Sequence, residues 1–290
     1  MNFVRMSLSK KQPANYHSII VKQLTRICQA FYGIAIIVYG IQQFIYGNFR
    51  NVQLPAWQYY IPGLNVLACL TGAGLIAVGA AIIFEIKARE ASLILGGIFL
   101  MLCCFVHVPY ELISEPNKSY HLGLWENTLK ELALAGGAFV IAGSFPGIPS
   151  GVWQKDFMIK YLEKIIPFGG IFFSITITSF GIAHFMYEKY IEALIPYWVP
   201  DHTFWAYFTG TALIGSGVFI ILDIRKKTIA ALLGAMIFCW FFVVHIPNTF
   251  TNSPDNKRNE IASAFDALAF SGTAFLISIS ARPKRGNGLN

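Results

Sequence analysis

Charged residues are scarce in this chain, and their scarcity excludes a soluble fold. Only 13% of its 290 residues are Asp, Glu, Lys or Arg, whereas a typical soluble domain has about 25%. Hydrophobic residues make up 55% of the chain, and they come in long blocks rather than in short alternating runs. A soluble globule needs a polar surface that this composition does not supply, so we predict an integral membrane protein.

Motifs that carry familiar chemistry are also missing. The sequence contains no phosphate-binding loop, nucleotide fingerprint, zinc-ligand spacing or nucleophile elbow, so no metal site is predicted. The basic residues are spread over separate loops, which argues against a nucleic-acid partner. Five cysteines lie inside apolar blocks without a C-x-x-C pair, and they are predicted to be small buried hydrophobic residues: Cys28, Cys69, Cys103, Cys104 and Cys239.

The chain contains many long apolar blocks. A bilayer core about 30 Å thick needs roughly 20 apolar residues per helix. The blocks that meet this length or come close are 27–46, 60–84, 91–110, 128–144, 165–187, 204–222, 229–247 and 261–280. We therefore predict an all-α protein with eight transmembrane helices.

The distribution of Lys and Arg predicts the orientation of these helices. Basic residues collect in the N-terminal segment, in every second connection and in the C-terminal tail, while the alternate connections carry few. Cytoplasmic loops are enriched in Lys and Arg. Both termini are therefore predicted to be cytoplasmic, in a multi-pass protein of the inner (plasma) membrane whose first partner is lipid.

The two halves of the chain repeat each other. The segment 40–46 recurs as 181–187, and Val106-His107-Val108-Pro109 recurs as Val244-His245-Ile246-Pro247. Because each half contains an even number of predicted helices, both halves insert with the same orientation. The predicted segments are a cytoplasmic N-terminal segment 1–24, a first repeat 25–145, a cytoplasmic linker 146–163, a second repeat 164–281 and a cytoplasmic tail 282–290.

The second half carries the more specific pattern, in the segments 181–185, 194–200 and 204–214 and in His245-Ile246-Pro247. This run resembles the DoxX-like (DoxX/DoxD) family of four-helix membrane proteins, over nearly all of the second half and more loosely over the first. The resemblance implies two parallel four-helix bundles in tandem. Some relatives look like subunits of thiosulfate:quinone oxidoreductases, which implies a quinone-linked role, but no catalytic motif can be carried over. In the first half, Gln43 occupies the position that His184 occupies in the second half.

Polar residues inside the apolar blocks are the candidate site, because a membrane makes them costly. His107, His184, His245 and Gln43 lie near the outward ends of their helices and are candidates for ligand binding. The alternative for His107 and His245 is a helix cap beside the proline two residues later. A second set is predicted to form a polar pair between repeats or to be solvated at the interface: Lys130, Asp266 and Glu131. The cytoplasmic halves of the helices are predicted to be almost purely apolar.

Three functions remain open from the sequence. The first is binding of a small apolar or amphipathic molecule between the repeats, with a quinone favoured over haem, in a membrane subunit of a quinone-linked oxidoreductase. The second is a non-enzymatic accessory or assembly protein that holds a protein partner on the outer face. The third is a small-molecule transporter, which the lack of an evident polar site at the midplane disfavours.

Overall fold

The computed structural model describes residues 13–55, 61–114, 121–147, 157–251 and 254–281, and within these ranges the secondary structure is entirely helical. The first half contains α1 (Pro13–Tyr46), α2 (Leu64–Ile83), α3 (Ala88–Leu102), α4 (Val108–Ser114) and α5 (Glu126–Ser144). The second half contains α6 (Phe157–Glu163), α7 (Gly169–Met186), α8 (Glu188–Leu194), α9 (His202–Ile221), α10 (Lys226–Trp240), α11 (Ile246–Thr251) and α12 (Pro254–Ser280).

Seven stretches in the described residues are long and apolar enough to cross a membrane. They are Ser18–Tyr46, Leu64–Ile83, Ala88–Ile113, Phe157–Met186, His202–Ile221, Lys226–Phe250 and Lys257–Ser280. The eighth predicted block forms α5, which has 19 residues and carries Glu126, Lys130 and Glu131 in its first two turns. These charges make α5 less apolar than the other long helices, although most of its remaining residues are buried.

Two predicted boundaries differ from the structure. α1 begins at Pro13, well before the apolar block that starts at residue 27, because the amphipathic residues ahead of the block continue the same helix. The last part of the predicted linker 146–163 is helical, since Phe157–Glu163 forms α6 and buries Ile159. Residues 1–12, 148–156 and 282–290 of the predicted cytoplasmic segments lie outside the described residues.

Glycine allows the long helices to approach each other closely. A Cβ added to Gly181 of α7 would lie 2.7 Å from the carbonyl oxygen of Gly210 in α9, and the Gly40–Gly72 contact of α1 and α2 is closer still. α5 packs against α7 in the same way through Gly136 and Gly169, and α12 packs against α1 through Gly272 and Cys28. Small residues are typical of helix contacts in membranes.

The contacts between helices define two ends of the bundle, which we call inner and outer after the orientation predicted from the sequence. At the inner end lie the turns after α2 and α9, in which Glu85, Lys87, Asp223 and Arg225 have left-handed backbone conformations. At the outer end, the start of α12 meets the end of α1, because the Arg258 side chain donates hydrogen bonds to the carbonyls of Asn48 and Phe49. The prediction of five buried cysteines is only partly correct, since Cys28 and Cys103 are buried whereas Cys104 and Cys239 lie exposed on the outside of the bundle.

Candidate functional site

The loop after α1 folds into the bundle at its outer end. Arg258 of α12 holds the carbonyls of Asn48 and Phe49 at 2.9 and 2.7 Å and places its guanidinium over the Tyr46 ring. The Gln42 side-chain amide donates to the Arg258 carbonyl at 3.0 Å, which ties α1 and α12 together at this level. These contacts direct the next loop side chain, Arg50, away from water and between the helices.

Arg50 forms a buried ion pair with Asp266 of α12. The distance between Arg50 Nη2 and Asp266 Oδ1 is 3.0 Å, and both residues are only 3% exposed. The Tyr39 hydroxyl donates to the same carboxylate oxygen at 2.6 Å, and the guanidinium lies 3.6 Å above the centre of the Tyr39 ring. Burial by itself lowers the pKa of Arg50, but the Asp266 carboxylate outweighs that effect and raises it above the ordinary value. Arg50 is therefore a fixed positive charge.

Several polar atoms around this pair have no hydrogen-bond partner among the described residues. They include both carboxyl oxygens of Glu131, which is 0% exposed, and Oδ2 of Asp266. Nε and Nη1 of Arg50 and the hydroxyl of Thr128, one turn before Glu131, are also unused. Buried polar groups are nearly always hydrogen-bonded, so a set of unpaired ones in a single region calls for an explanation. A carboxyl group without any donor is best accommodated here as a neutral acid.

His107 is buried close to this region, at the end of a widened helical turn. Residues Cys103–His107 form a π-helical segment, in which the amide of Val108 donates to the carbonyl of Cys103. The local cause is Pro109, which has no N–H for the usual helical bond. Neither ring nitrogen of His107 makes a hydrogen bond, although the carbonyls of Val52 and Gln53 lie beside the ring. The predicted choice between a ligand and a cap thus stays open for His107.

The predicted polar pair between Lys130 and Asp266 does not form. Lys130 Nζ pairs with Glu126 of its own helix at 2.5 Å, one turn away, whereas Asp266 pairs with Arg50. Arg50 reaches Asp266 because its loop enters the bundle, which the repeat alignment did not reveal. The third member of the set, Glu131, is buried rather than solvated at the interface. His245 is partly buried, and the charges that act on it are those of Lys130 and Asp266.

Two of the predicted ligand-binding residues have structural partners instead. Nδ1 of His184 donates to the carbonyl of Phe180 at 2.8 Å, and its Cβ packs against Gly210. Gln43 donates to the Gln53 side chain at 2.6 Å and accepts from the Thr71 hydroxyl at 3.0 Å. Both residues thus hold the first two long helices of their halves together. Within the described residues, neither forms a hydrogen bond with His107, Arg50 or Asp266.

No family model, curated protein or solved structure matches this chain. The DoxX-like resemblance therefore rests on the residues quoted for it.

Sequence reasoning missed the residues that organise this site. Arg50 falls in the connection after the block 27–46, and Tyr39 falls inside that block, so the apolar pattern gives neither of them a role. A signal for Tyr39 was present, because Tyr32 and Tyr39 are seven residues apart on one face of α1 where the second half has Phe173 and Phe180. The prediction of an almost purely apolar cytoplasmic half is wrong for α1, since Gln29 is buried there and donates to Ser144.

The arrangement offers three chemical capabilities. The guanidinium of Arg50 has two unused nitrogens, Nε and Nη1, that can donate to an acceptor, and charge-assisted hydrogen bonds of this type are the strong ones. The Glu131 carboxyl can donate a hydrogen bond or exchange a proton. The surrounding helices are apolar, so the site suits a molecule with a polar head group and an apolar body.

Proposed function

We propose that this chain is a DoxX-like membrane protein with eight crossings, in which two parallel four-helix halves hold the head group of a small amphipathic molecule near the outer end. A quinone is the ligand class that this site suits best. In this proposal both termini lie on the cytoplasmic side of the plasma membrane. A redox role would require a partner protein, because no redox centre is evident in the sequence.

The contacts of α5 support the eighth crossing. Arg89, at the start of α3, donates at 2.8 Å to the carbonyls of Ala142 and Phe145 at the end of α5. Cys103, beyond the other end of α3, contacts the carbonyl of Thr128 in the first turn of α5. The two helices are therefore antiparallel along their whole length. If α3 crosses the membrane, α5 spans the same thickness, and its charges are at the outer end.

Matched local features support the division into two halves. His107 and His245 each end a five-residue π-helical segment. The inner turns of the two halves share a second unusual feature, since Glu85 and Lys87 have left-handed backbones and so do Asp223 and Arg225. Such conformations are uncommon outside glycine. Their occurrence in pairs at matched positions favours a duplicated unit.

The unused donors around Arg50 and Glu131 are the observation that carries ligand binding. A quinone head group has carbonyl oxygens that accept hydrogen bonds, and Arg50 Nε, Arg50 Nη1 and a protonated Glu131 can each supply one. Arg50 and Glu131 come from the first half and Asp266 from the second, so a bound head group would contact both halves.

Titration of the purified protein in mild detergent with a short-chain benzoquinone, followed by tryptophan fluorescence, tests this function. We expect saturable binding to the native protein. Loss of one hydrogen bond to a charged group costs about 1.5–3 kcal/mol, so we expect Arg50→Met to weaken binding about tenfold or more. Glu131→Gln keeps a donor of similar shape and should weaken binding less.

His184→Gln is the matched control, because Gln43 already occupies that position in the first half and His184 bonds to the Phe180 carbonyl of its own helix rather than to Arg50 or Asp266. It should bind the quinone as the native protein does. A native protein without saturable binding, or an Arg50→Met variant that folds and binds normally, would contradict the proposal. The first result would turn attention to a protein partner on the outer face.

A further inference from the structure

The inner turn of the second half carries more positive charge than the matched inner turn of the first half. Residues 223–228 contain one acidic residue and three consecutive basic ones, Arg225, Lys226 and Lys227, which gives a net charge of +2. The matched residues 85–90 contain two acidic and two basic residues, so their charges cancel. We call Arg225, Lys226 and Lys227 the basic turn.

Two arginines near the inner turn of the first half are already paired within the protein. Arg26 of α1 pairs with Glu85. Arg89 donates from Nε and Nη2 to the Glu163 carboxylate, both at 2.7 Å, and its Nη1 donates to two carbonyls at the end of α5. Because these guanidinium groups are bonded to protein acceptors, they have little positive charge to offer a ligand.

The basic turn has no comparable partners. Lys227 occupies the position that Arg89 occupies in the first half, and both Lys227 and Arg225 are exposed. Neither forms an ion pair with another residue in the part of the chain that the structure describes. Lys226 comes only to 4.0 Å from Asp223, whose side chain is 59% exposed, and exposed pairs of this kind interact weakly. The positive charge of the basic turn is therefore largely uncompensated.

Further positive charge follows at the end of α12. The Ser278 hydroxyl donates to the Lys227 carbonyl at 2.7 Å, so the last turn of α12 lies beside the first turn of α10. The ten residues after α12 contain no acidic residue and three basic ones, Arg282, Lys284 and Arg285. Clusters of four to eight Lys and Arg residues directly after a membrane helix on the cytoplasmic side are typical of binding to anionic lipids.

Exposed apolar side chains adjoin the basic turn. Phe219, Leu222 and Ile224 are 42%, 57% and 44% exposed. The inner turn of the first half has similar neighbours, since Phe84 and Ile86 are 71% and 64% exposed. The two inner turns thus share an apolar rim and differ in charge. An anionic phospholipid matches both features of the second turn, because its phosphate suits the basic groups and its acyl chains suit the rim.

We infer that the basic turn binds the head groups of anionic phospholipids, with their acyl chains against Phe219, Leu222 and Ile224. The guanidinium and the two ammonium groups attract the phosphate and the net negative charge of such a lipid. Phosphatidylcholine has the same phosphate but also a cationic group, which the basic turn repels, so it binds more weakly. Only the assignment of these lipids to the cytoplasmic leaflet rests on the orientation included in the proposed function.

Native mass spectrometry of the full chain in a mild nonionic detergent tests this lipid site. The protein is titrated separately with dioleoylphosphatidylglycerol, with dioleoylphosphatidylcholine and with inorganic phosphate, and no quinone is present. We expect saturable binding of the anionic lipid and weaker binding of the other two, since free phosphate lacks acyl chains. Each basic residue near an anionic lipid strengthens binding about fivefold, so Arg225→Gln combined with Lys227→Gln should weaken it about twentyfold.

The matched control combines Lys189→Gln with Lys257→Gln, which removes two exposed positive charges from the outer end. It should bind the anionic lipid as the native protein does, and both double variants should fold because they change exposed side chains. Phosphatidylcholine or free phosphate that binds as tightly as the anionic lipid would overturn the inference. So would native binding by the Arg225→Gln, Lys227→Gln variant, or equal weakening in both double variants. Because quinone binding is titrated separately, a failure of this inference is distinguishable from a failure of the proposed function.

Discussion

Arg50 shows how a loop residue becomes part of a membrane protein's interior. Its guanidinium pairs with Asp266, lies over the Tyr39 ring and keeps two nitrogens, Nε and Nη1, without a partner among the described residues. Charges removed from water are costly unless they are paired with good geometry, and loss of one partner leaves the other uncompensated. The pair therefore constrains the position of the loop against α1 and α12, while its unused nitrogen and oxygen atoms keep their capacity to hydrogen-bond a ligand.

Asp266→Asn should destabilise the protein strongly, because it leaves the buried Arg50 charge without its counter-charge. The expected loss is about 3–5 kcal/mol, measured as the free energy of unfolding in detergent. Lys189→Met is the comparison, since Lys189 pairs with Glu188 and Glu192 on the surface with its side chain 82% exposed, and exposed ion pairs add little to stability. An Asp266→Asn variant as stable as Lys189→Met would contradict a functional pair at this position.

The sequence predicted which ionisable residues are buried in the bundle better than it predicted their partners. Asp266, Glu131 and His107 were predicted because ionisable groups in apolar blocks are rare, and all three are buried. The pairing of Asp266 with Lys130 was wrong, because the rotation of a helix and the course of a loop are not encoded in apolar periodicity. Arg50 lies outside the apolar blocks altogether, so no argument based on them could select it.

At the scale of single helices, close backbone contact sets the architecture. A Cβ added to Gly136 of α5 would lie 2.6 Å from the Gly169 carbonyl and 2.8 Å from the Phe173 amide of α7, and neither backbone atom can rotate away. Gly215 of α9 is also helical, but an added Cβ would meet nothing within 4 Å. The two glycines thus have different roles despite similar surroundings in the sequence.

Gly136→Ala should therefore destabilise the protein while Gly215→Ala should not. Overpacking of a tight contact typically costs about 1–3 kcal/mol, whereas alanine in an open helical position can be neutral or favourable. Thermal unfolding of the two variants in the same detergent measures the difference. Equal stability of both variants would show that α5 and α7 can separate without cost.

The helices themselves were largely predictable, while their irregularities were not. Seven apolar blocks correspond to seven stretches that can cross a membrane. The π-helical segments that end at His107 and His245 were not predicted, although each ends two residues before a proline. The proline indicated a disturbed helix, but sequence does not decide between a cap, a kink and a widened turn.

At the scale of the whole molecule, the two halves do not pack as separate bundles. The first long helix of the first half packs against the last helix of the second half, and the last helix of the first half packs against the first long helix of the second half. α1 packs along α12 through the Cys28–Gly272 contact and the Tyr39–Asp266 hydrogen bond. α5 packs along α7 through Gly136 and Gly169, and Thr176 donates to the Leu129 carbonyl. Sequence repetition predicts equal order in the two halves, but it does not say whether the halves pack as separate bundles.

The number of crossings has a consequence that can be measured. Ile86 and Ile224 occupy matched exposed positions in the inner turns, one in each half, and Lys189 lies between α7 and α9. With eight crossings, Ile86→Cys and Ile224→Cys lie on the cytoplasmic side and Lys189→Cys lies outside. In a background without the native cysteines, a membrane-impermeant maleimide should label only Lys189→Cys in intact cells.

Whether α5 crosses the membrane decides which of the three cysteine variants are labelled. If α5 did not cross, every later helix would be inverted, so that Ile224→Cys would be labelled in intact cells and Lys189→Cys would be protected. Ile86→Cys would stay cytoplasmic, because it precedes α5, and it therefore serves as the internal reference. The charges of Glu126, Lys130 and Glu131 weaken α5 as an independent membrane helix, but Glu131 is fully buried by its neighbours. We expect the surrounding helices to compensate for these charges and α5 to cross the membrane as part of the bundle.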